Sequence, residues 1–249
     1  MPQKILQYRQ LAKYYDLLYE WKDYEKESHT LLQLIRRYKL SSGNSLLDVG
    51  CGTGKHIYHL RKKFDCVGMD ISRHMLKEAR RNVKGARFVH GDMTSFDLGR
   101  QFDVLLCLFS GIGYVKTYPR LARTLRNFAK HLRDGGVVII EPWFTKAQWK
   151  QGSVHMLSRS KSDELKIVRV GYSDVRGDVS VLDERILVAE KDKGISYYKD
   201  GQTMGLFDRA RFLRLMREAG LRARYTKTSL APQRGLYIGV KLPQVPARR

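Results

Sequence analysis

The chain has 249 residues, 43% of them apolar, enough for one α/β domain with an insertion and too much for a disordered polymer. Its 47 basic and 25 acidic residues leave a formal charge of +22, which draws phosphates, nucleic acid or acidic surfaces without naming which. No run approaches the roughly 20 apolar residues of a membrane span, the N-terminus lacks a secretory signal's apolar core, and three unevenly spaced cysteines give neither a disulfide framework nor a zinc site, so a cytoplasmic protein with reduced thiols and no bound metal is expected.

Residues 5–40 carry helical periodicity and many tyrosines, and they end in Ser41-Ser42-Gly43-Asn44. A helical cap over 1–44 is therefore expected. Strand-like runs follow at 45–49, 65–69, 86–90, 102–109 and 135–141, with helix-like runs at 55–63, 73–83 and 117–132. This alternation predicts an α/β core over 45–150, built on a doubly wound, mostly parallel sheet. From 151 to 206 the pattern turns β-rich, with runs at 165–175, 179–190 and 194–199, and predicts an antiparallel β insertion overhanging the acceptor side as a lid or wall. An amphipathic helix at 208–219 and strands near 222–228 and 235–242 complete the core within 207–249, ending in a basic tail from Pro243. Arg211, Arg214 and Arg217 form one helical stripe. With Arg61-Lys62-Lys63 and Arg80-Arg81 they read as solvated faces and helix-end charges.

The chemistry centres on Leu46-Leu47-Asp48-Val49-Gly50-Cys51-Gly52-Thr53-Gly54, a buried strand breaking into a glycine turn at the start of a helix. Alternate glycines accept positive φ and let backbone approach a ligand closely, and a helix start favours an anion. Asp70, 22 residues beyond Asp48, ends the second strand at the distance suited to accepting both ribose hydroxyls of an adenosine-containing ligand. Asp92 follows the third strand and suits an adenine amino group, with Ile71 and Met93 as apolar plates on the ring. Each acid alone reads equally as an ordinary cap or turn residue; three at successive strand ends point to one ligand. NAD folds use GxGxxG. Here the spacing is GxGxG, and Asp48 repels a pyrophosphate but attracts an ammonium group.

At this point the sequence resembles the class I S-adenosylmethionine-dependent methyltransferases, whose first motif is matched by Asp48 to Gly54 and whose further elements extend through Asp70, Asp92 and Phe102 to Ser110. That resemblance implies a seven-stranded Rossmann-like methyltransferase sheet, S-adenosyl-L-methionine as cofactor, and Asp48, Gly50, Cys51, Gly52, Gly54, Asp70, Ile71, Asp92, Met93 and Leu108 as its binding residues. A narrower set, Tyr15-Asp16-Leu17-Leu18-Tyr19, Lys22-Asp23-Tyr24, Gly54-Lys55-His56, Phe109-Ser110-Gly111-Ile112-Gly113-Tyr114, Glu141-Pro142-Trp143 and Arg234-Gly235-Leu236-Tyr237, looks like the TDP-3-amino-sugar N-methyltransferases. It implies that Tyr15 and Tyr24 close over the cofactor and that Arg234 lies near nucleotide-sugar phosphates, with Ser110 and Trp143 on the acceptor side. Tyr114 stands where the family has a histidine near the amine. An unperturbed phenol is a poor base at neutral pH, but methyl transfer depends mainly on positioning. Tyr114 and His56 are the catalytic candidates.

Other residues read more plainly. His90 is a strand residue. Cys107, among leucines and without a preceding proline, is a core thiol rather than a covalent nucleophile. The leading expectation is N-methylation of a small, possibly phosphorylated amine, such as a nucleotide-linked amino sugar, by direct in-line displacement in a monomer or homodimer. The competing readings are a nucleic-acid methyltransferase, motivated by the charge although no Asn-Pro-Pro-Tyr-type motif is present, and a cofactor-binding regulator without turnover, motivated by Tyr114.

Overall fold

The computed structural model describes residues 8–231 and 234–243. Its centre is a seven-stranded sheet, built first from β1 (Ser45–Val49), β2 (Asp65–Asp70), β3 (Arg87–His90), β4 (Phe102–Cys107) and β5 (Leu132–Ile140). These five strands run parallel. All five residues of β1 and all six of β4 are buried, as expected of central parallel strands covered on both faces, which read as continuous rather than alternating apolar runs. Helices α3 (Lys55–Leu60), α4 (Arg73–Asn82) and α5 (Tyr118–Lys130) connect them. Ser72 and Thr117 cap α4 and α5 by accepting the N–H of Met75 and Arg120.

Among the described residues the N-terminal cap is helical in several pieces. It comprises a 3-10 turn at Ala12–Tyr14, the short α1 (Tyr15–Leu18) and α2 (Tyr24–Tyr38), with a break before Asp23, whose side chain caps α2 at Lys26. The apolar face of α2 packs with α3 and α4 on one side of the sheet through Leu31, Ile35, Ile57 and Leu76. Leu121, Leu125 and Phe128 of α5 fill the other side.

The insertion is a separate four-stranded antiparallel meander of β6 (Val154–Lys161), β7 (Leu165–Arg176), β8 (Val179–Glu190) and β9 (Gly194–Gly205). Strand β6 and the second half of β9 exceed the sequence reading. Their serines, lysine and glycines hide the strand signal, which the continuous register with β7 and β8 supplies. Its inner face, with Ile167, Ile186 and Val188, packs on Leu11, Tyr14 and Leu18 of the cap. The chain then makes α6 (Arg209–Glu218), β10 (Leu221–Thr226) and β11 (Leu236–Lys241). Strand β11 inserts antiparallel between β5 and β10, so β10 forms the edge. Residues 244–249 of the expected basic tail lie outside the described residues. Among the described residues, no helix is long and apolar enough to cross a membrane.

Candidate functional site

A narrow cleft opens where β1 and β4 end, lined by Tyr15, Tyr24, Asp48, Gly50, Cys51, Gly52, His56, Leu108 and Phe109 among others. Asp48 is 2% exposed, and among the described residues its Oδ2 has no hydrogen-bond partner. Burial pushes its carboxyl up to about 6, with His56 opposing the rise and the neighbouring Asp70 adding to it. Gly50 and Gly52 hold φ of +75° and +53°, and the space a Cβ would occupy is open at both. Here only glycine combines the left-handed backbone with an unobstructed approach. Gly54 serves differently: it caps α3 and packs against Phe88 and Val83. The helix it starts ends at Leu60, shorter than the sequence suggests.

Asp70 accepts the Gly52 N–H at 2.9 Å and the Ser72 N–H at 2.8 Å, one on each oxygen. Burial raises its carboxyl, while these backbone bonds oppose the rise. Each oxygen keeps a second lone pair. Ile71 is 60% exposed beside it, with its carbonyl bonded to the His90 ring at 3.0 Å. Asp92 accepts both the N–H and the hydroxyl of Thr94, and Met93 is half-buried against the core under α5. Cys107 is fully buried in the core, and burial pushes its thiol upward.

A buried ion-pair chain lies under the cleft. Lys22 contacts Glu27, which contacts His56 Nε2 at 2.8 Å, and the Lys22 ammonium lies over the rings of Tyr24 and Phe109. Burial acts to raise the Glu27 carboxyl, but His56 and Lys22 together hold it below its usual value. The structure thus commits His56 Nε2 to a carboxylate in the cleft floor. Above, Asp16 Oδ1 accepts the Thr53 hydroxyl at 2.6 Å, and Asp16 Oδ2 meets Lys55 at 3.2 Å and Asn82 at 3.1 Å, tying the cap to the glycine turn.

On the other side of Phe109 the backbone is strained. Phe109 and Ser110 hold φ of +46° and +63°, a left-handed conformation unfavourable for residues with side chains. The buried Glu141 carboxylate stabilises it by accepting the Phe109 N–H at 2.7 Å, and Ser110 donates to the Pro142 carbonyl at 2.9 Å. Arg234 donates to Ser110 Oγ and lies over the rings of Phe109, Trp143 and Phe144, with its Nε unpartnered. Trp143 donates its indole N–H to Ser180 of β8 at 2.9 Å, joining core to insertion.

Tyr114 sits in the 3-10 turn Gly111–Val115. It donates to Gln202 Oε1 at 2.5 Å and meets the Tyr8 hydroxyl at 2.6 Å. Burial pushes its phenol well above the ordinary value. Rings of Tyr8, Tyr15, Tyr19 and Phe109 continue from it in edge or tilted contacts. Lys22, Glu27, Asp16, Phe109, Glu141 and Gln202 are the residues here that sequence reasoning did not single out. Asp16 and Glu141 stand inside the quoted motifs, whereas Glu27 and Gln202 carry no local signal.

A methyltransferase-domain family model matches residues 46–136. The chain is 36% identical to a dTDP-3-amino-3,4,6-trideoxy-alpha-D-glucopyranose N,N-dimethyltransferase of Streptomyces venezuelae, over 92% of this chain and 97% of that one. It is 35% identical to a dTDP-3-amino-3,6-dideoxy-alpha-D-glucopyranose N,N-dimethyltransferase of Streptomyces fradiae, over 93% and 91%. Among solved structures it resembles DesVI of Streptomyces venezuelae with a TM-score of 0.86 at 35% identity, covering 92% of this chain and 98% of that one. The S-adenosylmethionine-bound amino pentose methyltransferase CalS10 gives 0.79 at 29% identity, covering 88% and 92%.

Proposed function

The chain belongs to the class I S-adenosylmethionine-dependent methyltransferase family that includes the dTDP-amino-sugar N,N-dimethyltransferases, and from that premise we propose that it N-methylates an amino sugar carried on a nucleotide. The methyl donor is S-adenosylmethionine, and the cleft fits it. A buried carboxylate oxygen without a partner suits an ammonium group, and an open glycine turn suits close approach by the amino-acid end. When bound, the donor supplies a methyl group on a positively charged sulfur.

In this reading Asp48 takes the ammonium, Gly50, Cys51 and Gly52 bring backbone against the amino-acid end, and Asp70 receives the ribose hydroxyls on its remaining lone pairs. Ile71, Asp92 and Met93 address the base. Tyr15, Tyr24, Leu108 and Phe109 close the cleft and exclude water, and the aromatic faces of the two tyrosines and Phe109 favour a cation. His56, bonded to Glu27, belongs to the donor end as a positioning residue and not as a base at the amine. The cap over 1–44 acts as a lid, and the insertion over 151–206 forms the acceptor wall.

Displacement requires a neutral amine lone pair in line with the methyl, so orientation supplies most of the rate. The product's extra proton passes to water. The observation that carries the phosphorylated acceptor is Arg234. Burial lowers its pKa, its Nε lacks a partner, and three aromatic rings hold its guanidinium in place, a pre-organised arrangement for a phosphate.

Among the described residues, part of the basic excess gathers elsewhere. A groove of about 1640 Å³ lies at the starting ends of β1, β2 and β5, opposite the cleft, where Arg126, Lys130, Arg133, Arg217 and Arg222 stand among the acids Asp65, Asp103, Asp134 and Glu218. A nucleic acid held there does not present a base to the donor, which favours the small acceptor.

The test is labelled methyl transfer to a dTDP-3-amino-deoxyhexose, the same sugar without its nucleotide, and total RNA. The nucleotide sugar is expected to be methylated, with Arg234→Met raising its KM about 10- to 100-fold and leaving donor affinity unchanged. Methylation of RNA alone overturns the reading.

A further inference from the structure

Three strands of the insertion contribute to one buried polar chain. Glu184 on β8 is 1% exposed, with Arg169 of β7 3.3 Å from its Oε1 as charge partner. Gln202 on β9, 5% exposed, donates its amide Nε2 to Glu184 Oε2 at 3.1 Å, and its Oε1 accepts the Tyr114 hydroxyl at 2.5 Å. At the far end Arg169 donates to the Tyr19 hydroxyl at 3.2 Å, and Tyr19 packs on Tyr15 and Phe109 of the cleft. The directions of these bonds are not interchangeable. An ionised carboxylate only accepts, so Glu184 requires the NH2 end of Gln202, and the amide must then turn its oxygen to Tyr114. Tyr114 can satisfy that oxygen only by donating its one hydrogen, so the Tyr8 hydroxyl 2.6 Å away must donate to Tyr114 and leaves its oxygen one further acceptor site.

Resting on the amino-sugar reading above, we propose that Glu184 and Gln202 are positioning residues that fix the polarity of Tyr114, so that its oxygen meets the substrate amine as an acceptor of N–H and never as a donor. The distinction decides reactivity. A phenol that donates to the amine occupies the lone pair that must attack the methyl. A phenol that accepts from the amine turns that lone pair away from itself and leaves it available. A tyrosine can thus occupy the family's histidine position without acting as a base, since its contribution is orientation.

The chain makes a prediction that packing alone does not. Gln202→Leu frees the Tyr114 hydrogen to turn to the Tyr8 hydroxyl or to the amine, and the second of these blocks the attacking lone pair, so it is expected to slow kcat more than Tyr114→Phe, which removes both donor and acceptor. We expect a loss of about 30- to 100-fold for Gln202→Leu and about 3- to 10-fold for Tyr114→Phe. The double variant Gln202→Leu/Tyr114→Phe is expected to recover to the level of Tyr114→Phe, although it carries more damage. Gln202→Met serves where the leucine variant does not fold. Steady-state kinetics on the dTDP-3-amino-deoxyhexose, with donor affinity by calorimetry as a control for intact structure, reads all of these. Additive losses, or Gln202→Leu no slower than Tyr114→Phe, overturn the proposal. A wild-type protein inactive on every amino sugar overturns the acceptor reading itself, and the proposal falls with it.

Discussion

Replacing Asp48 by Asn is expected to stabilise the ligand-free protein and to weaken the donor complex. The side chain is 2% exposed, its Oδ2 is unpartnered, and burial raises its carboxyl to about 6. Against an ordinary aspartate near 3.9, that is an order-of-magnitude cost of about 3 kcal/mol for keeping the group charged at neutral pH. The folded-state pKa is the raised one. The stabilising contribution of the protonated form is therefore complete below about pH 4 and is lost as the pH rises through about 6. Asn removes the charge at nearly constant volume, so thermal unfolding at pH 7.5 should move upward by several degrees, on the scale of about 2–4 °C per kcal/mol for a chain of this size. Binding changes in the opposite sense. The donor's ammonium loses its buried counterion, which should cost about 3 kcal/mol and weaken affinity roughly 100-fold or more. In the wild type, affinity should also fall as pH drops below about 6, because binding needs the carboxylate. Scanning fluorimetry and calorimetry between pH 5 and 8 test both arms. An Asn variant that melts lower and binds as tightly as the wild type refutes the assignment.

Two further outcomes follow from the cap and the strained turn. Asp16→Ala removes the contacts to Thr53, Lys55 and Asn82. The cap should then open more readily, and stopped-flow release of the donor should accelerate about 3- to 10-fold; an unchanged rate dismisses the latch. Glu141→Ala leaves the Phe109 N–H without its acceptor while Phe109 and Ser110 remain left-handed. A loss of about 1–3 kcal/mol in denaturant unfolding is expected, and an unaltered midpoint means that the turn holds without the carboxylate.

The parts legible in the sequence are those whose determinants are local. Strand β1, its glycine turn and Asp48 occupy consecutive residues, and the spacing to Asp70 follows from one strand-helix-strand unit, so the donor half of the sheet could be read directly. Edge elements were harder. The cap reads as helical from its periodicity, but that periodicity does not mark the break before Asp23, whose side chain caps α2. Strand β6 is found only through its pairing with β7. The proposed acceptor side depends on long-range register. Tyr114 meets Gln202 across 88 residues, and Lys22 reaches the cleft because Glu27 and His56 lie on helices packed together. No local pattern encodes such meetings. His56 shows the difference clearly, since its sequence neighbours suggest chemistry while its spatial neighbour is a structural carboxylate.

The meander from Val154 to Gly205 leaves the core after β5, returns just before α6 and, among the described residues, shares no strand pairing with the seven-stranded sheet. That topology makes it a cassette. Its rim residues can drift, or the whole unit can be exchanged between relatives, while the determinants of the donor cleft stay on other segments of chain. The contiguous stretch meets the rest of the chain through side chains, among them Ser180 with Trp143, Gln202 with Tyr114 and Arg169 with Tyr19, so a change within it reaches the other segments through such contacts.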